Sequence, residues 1–312
     1  RMGIGDTIIF LPFIKALSKK YNSPISLMVK ENSKADQYLH QTSYIDKIIN
    51  LERDNKNNKK HNGFTGVFNL IKDLKKYNFD KIFIFNSSLR FNLIARFSKI
   101  PEIYQYPLFN KTNQHIINLP KKFMKEKLNL DVYGDPEIQI NDSLLPQTIK
   151  KFQIDKNKLN ILLGIGGSGP TKRIPAKTFL NVIDRILKEK KCKFFLATGK
   201  DSQEQSILNE ILDSKFKNVC HRLDDLTIKE TLPIIKCCNL AICNDSSFSH
   251  LSSALGIKTI TLMADTPLIY GNYNSKMFPI IPDGEITVGH NTLGKEKINP
   301  EKIFNKIIEI IN

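Results

Sequence analysis

The chain has 312 residues, 41% of them hydrophobic, and 47 Lys and Arg against 31 Asp and Glu, for a formal net charge of +16. That length suits two domains of ordinary size, with enough apolar residues for two cores. No apolar run reaches the roughly 18 residues that a membrane-spanning helix needs, and the first apolar stretch carries Asp6 and then a lysine cluster, unlike a signal peptide.

The alternation of short apolar runs with helical stretches predicts βαβ units and parallel sheets. A glycine turn at 3–5 leads into a helix near 6–20. The apolar strand that would feed this turn is missing and the chain does not begin with Met, so a few residues are expected upstream. Strands follow at 24–30, 45–51 and 81–86, and helices at 33–40, 64–77 and 88–98, with a polar loop KKHNG between. From about 100 to 155 the pattern loosens. Prolines at 101, 107, 120, 136 and 146 argue against long helices there. A domain linker is placed at 142–157, dividing the chain into domains 1–150 and 151–312.

The alternation then restarts. Strands are expected at 159–165, 192–198, 218–221, 239–243 and 257–263. Helices are expected at 176–190, 202–213, 227–237, 246–255 and 300–311, the last a candidate to pack back on the first domain. Two doubly wound domains imply a cleft, with ligands at the carboxyl ends of the strands.

The five cysteines, Cys192, Cys220, Cys237, Cys238 and Cys243, form no CxxC pair. They read as reduced, buried thiols of a cytosolic protein, and no structural zinc is expected. The positive charge has two readings. One is a general Lys, Asn and Ile bias, visible in KNNKKHN and NKIIEIIN. The other is attraction to an acidic partner, such as a phosphorylated lipid, a membrane surface or nucleic acid. Residues 1–150 hold 24 Lys and Arg against 14 Asp and Glu, and the remainder 23 against 17, so the excess is greater in the first half. The basic runs lack the interleaved aromatics of RNA readers, which argues against nucleic acid.

Three segments fall after expected strands and before expected helices. In the first, Gly3-Ile4-Gly5-Asp6, a carboxylate would repel a phosphate. Asp6 reads locally as a helix cap, or as a general base for a hydroxyl nucleophile. The second is GIGGSGPTKRIP, 164–175. Gly166, Gly167 and Gly169 allow close backbone approach, Ser168 and Thr171 offer hydroxyls, and Lys172 and Arg173 offer charge before a helix. This describes a diphosphate site. Pro170 after Gly169 excludes a Walker A loop, and Gly-Gly-Ser-Gly-Pro is not a nucleophile elbow. The third is Asn244-Asp245-Ser246-Ser247 and His250, where a helix start suits a phosphate, Asp245 could hold sugar hydroxyls and His250 lies one turn on.

In order and spacing, RMGIGD, GGSGPTKRIP and NDSSFSHLSSALGIKT resemble glycosyltransferase family 9, the bacterial heptosyltransferases. The resemblance implies a GT-B fold of two Rossmann-like domains, with the nucleotide-sugar on the second. It implies inverting heptose transfer from an ADP-heptose donor to a phosphorylated glycolipid of the lipopolysaccharide core, at the cytoplasmic face of the inner membrane, with no tightly bound cofactor or metal. Asp6 matches the family's general base and Lys172 the lysine that neutralises the departing diphosphate. Gly166, Gly167, Ser168, Thr171, Arg173, Asn244, Asp245, Ser246, Ser247 and His250 match its donor-binding turns. Three positions depart: Ser247 replaces a family glycine, Lys229, next to Glu230, stands where an acidic residue often holds the ribose, and Lys258, at a strand entry of less consequence, replaces the usual proline of the last motif. The alternatives are a GT-B enzyme with another nucleotide-sugar, such as an epimerase, and a non-catalytic protein binding a nucleotide or anionic lipid.

Overall fold

A computed structural model describes residues 3–54, 59–108 and 116–311. In chain order the elements are α1 (Ile4–Ile9), α2 (Leu11–Tyr21), β1 (Ile25–Lys30), α3 (Ala35–Leu39), β2 (Ile45–Leu51), α4 (Thr65–Lys75), β3 (Lys81–Ile84), α5 (Leu89–Phe97), β4 (Glu102–Gln105), α6 (Asn118–Leu128) and α7 (Leu144–Lys151). They continue with β5 (Leu159–Gly164), α8 (Ala176–Glu189), β6 (Cys192–Ala197), α9 (Ser202–Leu212), β7 (Cys220–Arg222), α10 (Ile228–Lys236), β8 (Leu240–Asn244), α11 (Ser247–Ala254), β9 (Thr259–Leu262), α12 (Ile269–Asn272), β10 (Met277–Ile280) and α13 (Pro300–Ile311). The chain divides into two compact units. The second begins at Asp135, ahead of the linker expected at 142–157, and also takes in segments 4–9 and 36–43.

The first unit holds two parallel strand pairs. Met28 of β1 lies opposite Ile49 of β2, and Phe83 of β3 opposite Tyr104 of β4. One core cluster joins Phe13 and Leu17 of α2 to Phe123, Met124 and Leu128 of α6. Leu70 and Leu74 of α4 pack with Ile94 of α5 in another. The 100–155 stretch, where long helices were not expected, holds two short ones of 11 and 8 residues. Pro120 and Pro146 are each the third residue of α6 and α7, where a backbone N–H has no intrahelical acceptor to lose.

The second unit is built on a six-stranded parallel sheet in the order β10-β9-β8-β5-β6-β7. Counted within the unit this is 6-5-4-1-2-3, the doubly wound nucleotide-binding order. Its central strands are buried on both faces, so Ile161, Leu162 and Leu163 run as continuous apolar sequence rather than alternating. The strand order reverses between β5 and β8, whose residues Gly164 and Cys243 lie opposite each other. A crevice must open there, beyond the carboxyl ends of both strands. Helix α13 puts Ile303, Ile307 and Ile310 into the core of its own unit. That apolar stripe at helical spacing is satisfied by α8 and β9.

Candidate active site

The glycine segment begins where β5 ends. A Cβ on Gly164 would fall 2.6 Å from Cys243 Sγ and 3.1 Å from Phe248 Cβ, so glycine lets β5 lie close against β8 and α11. The loop beyond is held by a residue that sequence reading missed. Buried Glu204, in the first turn of α9, accepts hydrogen bonds from the amides of Gly167 at 2.7 Å and Gly199 at 2.9 Å. Arg173, expected to face the diphosphate, is turned to this scaffold instead. Its Nε donates to the Gly167 carbonyl at 3.0 Å, and its Nη1 donates to Asp201 at 2.6 Å and Gln203 at 2.7 Å. A guanidinium carries several donors in a fixed fork, and here they lock the loop to the start of α9. The Thr171 hydroxyl is likewise engaged, bonding Asp265, which also accepts from the Leu293 amide at 2.9 Å. Ser168 is exposed at the loop tip.

Lys172 meets the third segment. Its Nζ lies 2.6 Å from Oδ2 of buried Asp245. The residue expected to hold sugar hydroxyls therefore holds the loop's cation. Burial alone would raise the Asp245 carboxyl, but the Lys172 ammonium beside it outweighs this and keeps the pKa below the ordinary value. Asn244 is also turned inward, its Nδ2 donating to the Ile165 carbonyl at 2.8 Å. Ser246 precedes the first turn of α11, and its buried Oγ has no hydrogen-bond partner. Ser247 opens that turn, half-buried. The free amides of a helix start and an unpaired hydroxyl suit a ligand oxygen.

His250 is buried beneath this turn. Its Nδ1 lies 2.7 Å from the Tyr273 hydroxyl, and the rings stack with centroids 5.6 Å apart. Burial pushes the imidazole below its usual pKa against the opposing pull of Asp245 and Asp6, so the neutral form is favoured. Burial also pushes the Tyr273 phenol up, so it stays protonated beside Nδ1. Nε2 lies 4.0 Å from Asp245 Oδ1.

The first segment reaches the same place because α1 packs on α11. A Cβ on Gly5 would fall 2.5 Å from His250 Nε2, so only glycine allows this approach. Helix α1 begins at Ile4 and Gly5 is helical, so the expected glycine turn is absent and Asp6 sits inside the first helical turn rather than at the cap. Its charge acts on both His250 and Tyr270. Arg1 and Met2 of RMGIGD lie outside the described residues. Elsewhere, Lys229 is exposed and Glu230 is occupied in a capping box with Thr227, accepting from its amide at 2.8 Å. Among the described residues no helix is long and apolar enough to cross a membrane, and no three His, Cys, Asp or Glu side chains gather as metal ligands would.

The sequence profile described as "Glycosyltransferase family 9 (heptosyltransferase)" matches residues 67–281. The chain is 26% identical over 309 positions to a lipooligosaccharide heptosyltransferase 2 of Campylobacter jejuni, covering 91% of this chain and 93% of that one. Among solved structures, the glycosyl transferase family 9 protein from Veillonella parvula superposes with a TM-score of 0.77 at 17% identity, over 99% of this chain and 94% of that one. The E. coli ADP-heptose LPS heptosyltransferase II gives a TM-score of 0.74 at 16% identity, over 100% and 96%. The shared fold is GT-B.

Proposed function

The chain belongs to glycosyltransferase family 9, and from that premise we propose that this glycosyltransferase moves a heptose from ADP-heptose to the core of a lipopolysaccharide-type glycolipid, inverting the anomeric centre. The observation that carries the reading is the meeting of Lys172, Asp245 and His250 with the helix bearing Asp6, all beyond the switch point of one nucleotide-binding sheet. The names of similar proteins support the donor and the acceptor class.

In this reading Asp6 takes the proton of the acceptor hydroxyl as its oxygen attacks the anomeric carbon. The bond to the nucleotide breaks on the opposite face and leaves a diphosphate. Lys172 stabilises that charge, together with the first amides of α11 and the Ser246 hydroxyl. Asp245 holds the Lys172 ammonium in place before the donor arrives. Glu204 and Arg173 fix the glycine loop that borders the phosphates. The acceptor is a phosphorylated glycolipid reached from the cytoplasmic side.

Isothermal calorimetry with ADP, UDP, GDP and dTDP tests the donor, and transfer from ADP-heptose to heptose-free core glycolipid tests the reaction. ADP is expected to bind best, and Lys172→Ala should weaken it about tenfold, the worth of one charge-assisted contact. Asp6→Asn should leave ADP binding unchanged and slow transfer by about 10²–10⁴-fold. Preference for another nucleotide would replace the donor. Loss of ADP binding in Asp6→Asn would remove Asp6 from the role of base.

A further inference from the structure

Helices α4 and α5 of the first unit bury one face together and expose the other. Leu70 and Leu74 of α4 share a core cluster with Ile94 of α5. Arg90 ties the start of α5 to the turn before α4, donating to the His61 carbonyl at 2.9 Å and the Gly63 carbonyl at 2.8 Å. The two helices therefore lie next to each other, and each carries an exposed stripe. These stripes are apolar where soluble surface is normally polar. Phe64 is 78% exposed, Phe68 58% and Phe97 62%, and Leu89 and Leu93 are exposed as well. The Phe64 and Phe68 rings pack edge to face at 5.2 Å, one helical turn apart. Other large exposed apolar residues, such as Tyr133 and Ile286, stand in other segments and call for no partner.

The surroundings are cationic. Residues 59–99 hold nine Lys and Arg against two Asp. One of the two, Asp73, is taken up by Lys60, Lys76 and His61. Lys72, Lys75, Arg96 and Lys99 are exposed on or beside the same two helices. Aromatic and leucine side chains flanked by cations are the composition of a surface that lies in a headgroup layer. A second copy meeting this face across a two-fold axis would bring cations onto cations.

We propose that the α4–α5 face docks on an anionic lipid bilayer, with Phe64, Phe68 and Phe97 entering the acyl boundary and the flanking lysines and arginines meeting the headgroups. The inference builds on the reading of a glycolipid acceptor, which would be presented at such a surface. Electrostatic attraction falls off within a Debye length, so docking should weaken with salt while the apolar part persists.

The chain has no tryptophan, so Phe68→Trp places a single reporter on the face. With the 312-residue chain and vesicles of phosphatidylcholine with or without about 30% phosphatidylglycerol, the emission should shift to the blue only with the anionic vesicles. Phe64→Ser/Phe68→Ser/Phe97→Ser should reduce co-sedimentation at least tenfold while leaving the melting temperature and ADP binding unchanged. Three results overturn the proposal: no sedimentation of the unaltered chain with anionic vesicles, sedimentation without an emission shift, or a triple variant that changes from dimer to monomer instead of losing vesicles. Failure of the donor reading shows separately, as absent ADP binding in a chain that still sediments.

Discussion

Lys172 Nζ and Asp245 Oδ2 lie 2.6 Å apart, joining the loop after β5 to the end of β8 across the switch point. Removing the cation leaves a buried carboxylate uncompensated. Lys172→Ala should therefore cost on the order of 3 kcal/mol of stability at neutral pH, read by urea unfolding, besides its effect on turnover. The Asp245 pKa is depressed in the fold. Its contribution is thus present above the ordinary carboxylate range and lost as pH falls through the depressed value. The stability gap between Asp245→Asn and the unaltered chain should close on acidification.

Gly5 admits no side chain. Gly5→Ala would press a methyl into the His250 ring, which Tyr273 stacks on and bonds and which cannot retreat. Overpacking of this kind costs about 1–3 kcal/mol. Transfer should fall at least about tenfold, because α1 also carries Asp6 and small displacements of a catalytic group are costly. A variant with unchanged turnover would show that α1 can shift without consequence.

Tyr273→Phe removes the hydroxyl bonded to His250 Nδ1 and keeps the ring stack. The expected stability loss is about 1 kcal/mol. The decisive reading is nitrogen NMR of His250, which should lose its single tautomer, with kcat lowered and the donor KM little changed.

The pH dependence of folding should carry a histidine signature. Burial lowers the His250 pKa from 6.5 more than the nearby carboxylates raise it. Near pH 6.5 the unfolded chain takes up a proton that the folded site refuses, so this contribution is fully present above that pH and shrinks below it. Chemical unfolding across pH 5 to 8 should show stability falling on the acid side, with a smaller fall in His250→Gln.

Glu204→Ala would free the Gly167 and Gly199 amides that its carboxylate now holds. Two amides without a buried acceptor should cost about 2 kcal/mol. ADP binding by calorimetry should weaken with the loop, whereas a Glu204 that merely fills space would be replaced by Gln with no loss of order.

The alternation of apolar runs placed β2 at its observed ends and most other elements within a residue or two, because buried parallel strands must be continuously apolar and their helices periodic. Helices α6 and α7 were hidden by Pro120 and Pro146, whose tolerance depends on lying in a first turn and is legible only once the helix start is known. Glu204 gave a local cue, an acid in the first turn of a helix, but nothing local says that its acceptors serve a loop 37 residues earlier.

By itself the sequence determined the two-domain α/β class, the family, and which loops carry glycines, hydroxyls and charge, since these depend on local pattern and on order along the chain. Only the tertiary structure decided what each charge does. Arg173 and Lys172 are neighbours in sequence with the same sign, yet one is spent on Gly167, Asp201 and Gln203 while the other reaches Asp245. Their different tasks follow from the bend of one loop and from the strand order that brings β5 beside β8, and an ion pair between residues 73 apart exists only after that sheet has formed.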